Sequence, residues 1–194
     1  MLGQGCCPSI SKPFSMKKIL TYSLLFFSPV FLFSQKNDHI WVTGYSSNDI
    51  DTNWGGTIID FNFDPPQLRY QYMDMNFLEY NAIASDGQGI LQFYTNGLYI
   101  ANKDQGPMEN GLGLNPGMYN DNMGDDGYIL PQGGIIVPQP GNSHQYYLIH
   151  ADAAYPNQEI QYHTEHLYFS KIDMLYSNGL GRVTVILGLK KDLC

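Results

Sequence analysis

Four short stretches of the chain carry residue types that could do chemistry. "GGIIVPQPGNSHQYYLIHAD" (residues 133–152) ends on His150 and Asp152, two residues apart and so on one face of a strand end. An imidazole beside a carboxylate suits acid–base work, but no nucleophile constellation, phosphate loop or reactive cysteine setting accompanies it. The bland reading is the polar end of a hairpin. "HTEH" (163–166) gathers His163, Glu165 and His166. It falls one residue short of the helical H-x-x-E-H zinc motif, and in a strand its two histidines point to opposite faces.

"YNDNMGDDGY" (119–128) puts Asp121, Asn122, Asp125 and Asp126 in one turn-rich stretch. Calcium takes six to eight oxygen ligands from such turns, yet the EF-hand order is absent. The four side chains read either as a solvated acidic loop or as a calcium-stabilised one, and no other cofactor is expected. "SNDIDTNW" (47–54) matches Ser47, Asp49 and Trp54 of the sialidase-type Asp-box. Asp51 and Asn53 replace its glycine and threonine, and even a complete box is a structural turn.

The elements that would position these residues are strands. Tyr (15), Gly (20) and Pro (11) are plentiful and only 14% of residues are charged, a β-and-turn composition. Period-2 patterning marks 39–45. It continues through 56–75, with Ile59, Phe61 and Phe63 on one face, an Asp-Pro-Pro turn, then Leu68, Tyr70 and Tyr72 on one face. Residues 81–102 hold turns at Asp86-Gly87 and Asn96-Gly97. The Gly- and Pro-rich stretch 103–132 has no period and reads as a long loop. Strands follow at 135–137, 145–150, 165–174 and 180–189.

The N-terminus has its own character. Lys17 and Lys18 after Met16, an apolar run from Ile19 to Phe33 and the small residue Ser34 describe a cleavable signal peptide over 16–34. The run is too short for a membrane span, which needs roughly 20 residues. Met16 reads as the initiator, and 1–15 as an over-called extension. Of ten basic and eighteen acidic residues, only Lys12, Lys17 and Lys18 precede residue 35, so 35–194 carries a net charge of −11. Such a surface repels phosphate backbones, and nucleic acid is not an expected partner. The only cysteine beyond the leader is Cys194, so the core alone must hold the exported domain.

A weak repeat relates Ala82–Tyr94 to Ile135–Tyr147, with Gly87 and Gly141 centring the two turns. Four-strand units recurring at about 40–50 residues are the signature of propeller blades. The expected fold is all-β: two to three consecutive four-stranded antiparallel blades over 35–189, an incomplete propeller, with a tail at 190–194.

"LQFYTNGLYIAN" (91–102), "IVPQPG" with Tyr146-Tyr147-Leu148, and Ile172-Asp173-Met174 through Asn178-Gly179-Leu180-Gly181-Arg182-Val183 stand in order along the chain. With these the sequence resembles the N-terminal propeller-like module of secreted multidomain Bacteroidetes proteins of the gliding-motility and sorting-domain type. The usual module runs well beyond residue 194, so the chain reads as truncated. The resemblance implies a secreted or cell-surface scaffold or binding module, with no catalytic residues to transfer. Glycans or a surface protein are the partners considered, and any ligand site is expected on loops, chiefly 103–132. The adjacent aromatics Phe93-Tyr94, Tyr146-Tyr147 and Tyr168-Phe169, with Tyr70 and Tyr72, suit blades packed on both sides, or else a sugar-stacking surface. The competing readings are a piece of a propeller glycosidase, needing two carboxylates about 5–10 Å apart, and a truncated, non-functional product.

Overall fold

The computed structural model describes residues 35–123, 126–154 and 163–190. The extension, the leader and the tail beyond 190 lie outside the described residues. Among the described residues ten strands form three antiparallel sheets, each a meander in chain order. Sheet A holds β1 (Ile40–Thr43), β2 (Thr57–Asp60) and β3 (Gln67–Tyr70). Sheet B holds β4 (Ala82–Ser85), β5 (Leu91–Thr95) and β6 (Ile100–Asn102). Sheet C holds β7 (Gly134–Pro138), β8 (Gln145–Ala151), β9 (His166–Asp173) and β10 (Arg182–Lys190). A short helix, α1 (Met118–Met123), sits in the 103–132 connection.

Turn chemistry explains the hairpins. Asp86 turns its carboxylate back on the amides of Gln88 and Ile90 at 2.9 and 3.0 Å, closing the β4–β5 corner. At the next corner Asn96 Oδ1 accepts from Leu98 N–H at 3.0 Å, and Thr95 Oγ1 accepts from Gly97 N–H at 3.0 Å. Gly97 holds φ +89°, where a side chain is strained, and a Cβ there would sit 2.8 Å from Tyr128.

The core lies between the sheets, in the layered manner of stacked meanders. Between A and B, Ile40, Val42 and Ile58 meet Tyr94 and Ala101, with Met73, Met75 and Phe77 wedged in. Between B and C, Phe93 and Ile100 meet Tyr146, Leu148, Ile172 and Val183. Neighbouring residues of a strand face opposite ways, so Phe93 serves one interface and Tyr94 the other, as the paired aromatics suggested. Phe93 and Tyr146 pack edge-on at 5.3 Å. β1 packs beside β4, and β4 beside β7, so the first strands of the three meanders stand in a row.

Three readings change on the structure. Sheets A and B have three strands, not four. After β3 the chain runs irregularly through 71–80, burying Met73, Met75 and Phe77 against sheet B instead of pairing on the edge. In the first hairpin β2 ends at Asp60, whose carboxylate accepts from Asn62 N–H, so Phe61 and Phe63 lie in the turn and are exposed. The buried face carries Ile58, while Ile59 and Leu68 pair on the outer one. The internal repeat also shifts by one: Tyr146, not Tyr147, takes the position of Tyr94 toward the preceding sheet. A bulge in the β4–β5 ladder absorbs the difference.

Candidate functional site

His150 and Asp152 both turn inward at the end of β8, but they serve different partners. His150 Nδ1 lies 2.6 Å from Asn115 Oδ1, and its Nε2 lies 2.9 Å from Ser170 Oγ on β9. Asn115 already donates its Nδ2 to the Gly97 carbonyl at 2.9 Å, so its oxygen must accept. That makes His150 Nδ1 the donor and leaves Nε2 to accept the Ser170 hydroxyl, a tautomer assigned from the network. Burial pushes the imidazole pKa down to about 4, so the ring is neutral at ordinary pH.

Hydroxyl, imidazole and amide in a line have the connectivity of a nucleophilic triad. Here all three side chains are fully buried, and the Tyr168 ring stacks on His150 at 5.3 Å and 14°. No carbonyl substrate can reach Ser170. The network instead pins the 103–132 segment and the Asn96-Gly97 corner of sheet B to the centre of sheet C. Asn115 and Ser170 escaped the sequence reading. Ser170 stands two residues from both Tyr168 and Ile172 and so shares their face of the strand, which was the available sign that it points inward; Asn115 carried none, because its partner lies 35 residues away.

Asp152 belongs to a second arrangement. Its carboxylate accepts from the amides of Glu165 and His166 at 2.9 Å each and from His166 Nδ1 at 2.6 Å. His163 turns to Glu165 at 3.2 Å, so the two histidines of "HTEH" go to different carboxylates. Among the described residues no three His, Cys, Asp or Glu side chains are grouped to hold a metal. Asp152, Glu165 and His166 line a cleft of about 270 Å³ with Pro116, Gly117 and Tyr168. The 103–132 segment thus supplies one wall, but it is no free loop: Met108, Leu114, Tyr119 and Tyr128 are buried core residues.

Of the proposed calcium ligands, Asp121 and Asn122 fall on α1 and are exposed, and Asn122 Nδ2 donates to the Met118 carbonyl at 2.7 Å. Asp126 is exposed just beyond the helix, and Asp125 lies outside the described residues. Of the partial Asp-box, Ser47 is buried and donates its hydroxyl to the Gly44 carbonyl at 2.8 Å, whereas Trp54 is exposed.

The larger cleft, about 680 Å³, lies at the opposite end of β8, where the β4–β5 and β7–β8 turns come together near residues 35–37. Asn37, Gln139 and Asn142 present amides, Pro138 and Pro140 apolar rings, and Ser143 a hydroxyl, with no charged side chain in the lining. Gln139 Oε1 accepts from the Tyr147 hydroxyl at 2.7 Å, and Asn142 Oδ1 from His144 N–H at 2.9 Å. Both amides therefore offer their NH₂ groups as donors.

No family model matches the chain, and no curated protein or solved structure does either. Fold and site define an all-β protein of three stacked antiparallel meanders. Among the described residues no helix is long and apolar enough to cross a membrane.

Proposed function

We propose that residues 35–190 form a propeller-like, non-catalytic scaffold and binding module of an exported protein, taking a neutral glycan in the cleft between the β4–β5 and β7–β8 turns. The observation that carries the fold reading is the row of first strands: β1, β4 and β7 stand side by side while each meander runs outward from them. Propeller blades are arranged in this way around their axis. Export rests on the leader pattern of 16–34. The ligand class follows from the lining, since amide donors, a hydroxyl and proline rings suit sugar hydroxyls and apolar sugar faces. An uncharged wall holds no carboxylate pair for glycoside hydrolysis.

A panel of neutral and charged glycans tests this. Saturable binding of neutral members without any hydrolysis product is the expected result, weakened about tenfold or more in Asn142→Ala and Gln139→Ala, as loss of hydrogen bonds to a bound ligand predicts. Released reducing sugar would favour the glycosidase reading. Absence of binding across the panel would remove the glycan assignment.

A further inference from the structure

A further cavity, about 550 Å³, runs along β1 and shares no lining residue with the cleft between the turns. Asp38, Trp41 and Thr43 line it from β1 and the turn before it, Asn81 and Ile83 from the entry to β4, and Gln132 from the turn before β7. Trp41 is 53% exposed, yet its ring is held: Nε1 donates to the Asp38 carbonyl at 3.1 Å, and Phe61 packs against it at 5.1 Å. The Asp38 carboxylate makes no ion pair among the described residues. Asn81 donates its Nδ2 to the Val42 carbonyl, which blocks the edge of β1 against an added strand and leaves Asn81 Oδ1 to accept.

Gln132 is the least expected member of the lining. The Leu130 carbonyl accepts from Gly133 N–H at 3.0 Å, with Pro131 second in that turn and Gln132 third, at φ +54°. These are the marks of a type II turn, whose third position calls for glycine or asparagine. A glutamine kept there is strained, and strain retained beside a cavity points to a use for the side chain.

We infer that this cavity binds a primary alkylammonium, a protonated amine on a short apolar chain. Such a head group has three donors and no acceptor. Asp38 supplies its counter-charge, and Asn81 and Gln132 supply amide oxygens. The indole face of Trp41 attracts cations more strongly than the other aromatic rings do, and with Ile83 it covers the apolar chain. No basic side chain lines the cavity, and the net charge of −11 on residues 35–194 raises the concentration of cations around it. An anionic ligand would be repelled by Asp38, and a neutral one would gain nothing from its charge. The same head group arrives on a free amine or on a lysine side chain. The site is independent of the glycan cleft.

The chain has two tryptophans, so Trp54→Phe leaves Trp41 as the sole indole reporter. Titration of this protein with n-pentylamine at neutral pH should change the Trp41 emission saturably, with an affinity of about a millimolar for so small a ligand. 1-Pentanol, equally long and uncharged, should bind about tenfold more weakly or worse. Added salt should weaken the amine and not the alcohol. Asp38→Asn keeps the backbone carbonyl that holds Trp41 and should cost the amine about tenfold. Gln132→Gly separates a ligand role from a structural one. Relief of the turn should raise the melting temperature by about 2–4 °C, while amine affinity falls about fivefold. Far-UV circular dichroism of both variants should match wild type, since Asp38 and Gln132 are exposed. Equal binding of pentanol, full amine affinity in Asp38→Asn or Gln132→Gly, or no saturable change at Trp41 overturns the inference. Nα-acetyl-lysine methylamide distinguishes the two sources: tighter binding than pentylamine assigns the site to a lysine side chain, weaker binding to a free amine. Neutral glycans should bind Asp38→Asn as they bind wild type, which keeps the two sites separable.

Discussion

Gly134→Ala is expected to lower the stability by about 3 kcal/mol, the upper part of the range for overpacking a filled core, and the melting temperature by roughly 6–12 °C for a domain of this size. Gly134 opens β7, and the phenol of Tyr80 lies directly over its Cα, where a methyl group would overlap the Tyr80 hydroxyl. Gly133 forms the rest of that floor: a Cβ there would stand 2.8 Å from the Tyr80 ring and 2.9 Å from Leu130. Tyr80 cannot move aside, because it is fully buried and meets Tyr128 edge-on at 6.2 Å. Its hydroxyl has no hydrogen-bond partner among the described residues, so Tyr80→Phe alone should be neutral or slightly stabilising. In the Gly134→Ala background the same change should recover part of the loss. Thermal melts of the four proteins decide it. A Gly134→Ala melt within about 2 °C of wild type, where a 1 kcal/mol change already moves a domain of this size by 2–4 °C, would rule out the contact as described.

The second large effect is acid lability centred on His150. Burial holds this imidazole neutral in the folded protein, with its pKa down at about 4 against 6.5 unfolded. The unfolded chain therefore takes up the proton first. The stabilising contribution is complete above pH 6.5, is lost as the pH falls from 6.5 toward 4, and levels off below that. A displacement of that size corresponds to about 3 kcal/mol. Asp173 and Glu109 have folded pKa values below their ordinary ones, so whatever they contribute is lost lower down, as the pH falls through the carboxylate range. Urea unfolding at several pH values, compared with His150→Gln, isolates the histidine. The wild type should lose stability more steeply between pH 6.5 and 4, and the two curves should run parallel above it. Equal slopes would show that His150 is not held neutral. An NMR titration gives the same answer without a variant, since the His150 ring proton shift should stay flat from pH 8 to about 5 if the folded pKa is near 4.

Much of the strand order was legible because it rests on local chemistry. Asp86 and Asn96 close turns within a few residues of themselves, and the alternation in 145–151 survives in full as half-buried and buried positions along β8. The candidate sites were legible only as fragments. His150 and Asp152 were visible, yet neither spacing nor residue type tells that one bonds Ser170 and Asn115 and the other His166. The face of the first hairpin was misread for a related reason. Ile58 and Ile59 are equally apolar, and only the arrival of sheet B on one side makes Ile58 the buried one.

The sequence by itself determined an all-β chain, the places of its turns, an acidic surface and paired aromatics facing both ways, since each follows from residue type and a two-residue period. Only the tertiary structure decided that the meanders stack with their first strands in a row, that the Gly- and Pro-rich 103–132 segment is part of the core, and that the Ser–His–Asn line is sealed from solvent. Those outcomes depend on contacts between residues tens of positions apart, where burial assigns each polar group its partner and local pattern carries no record of which partner that is.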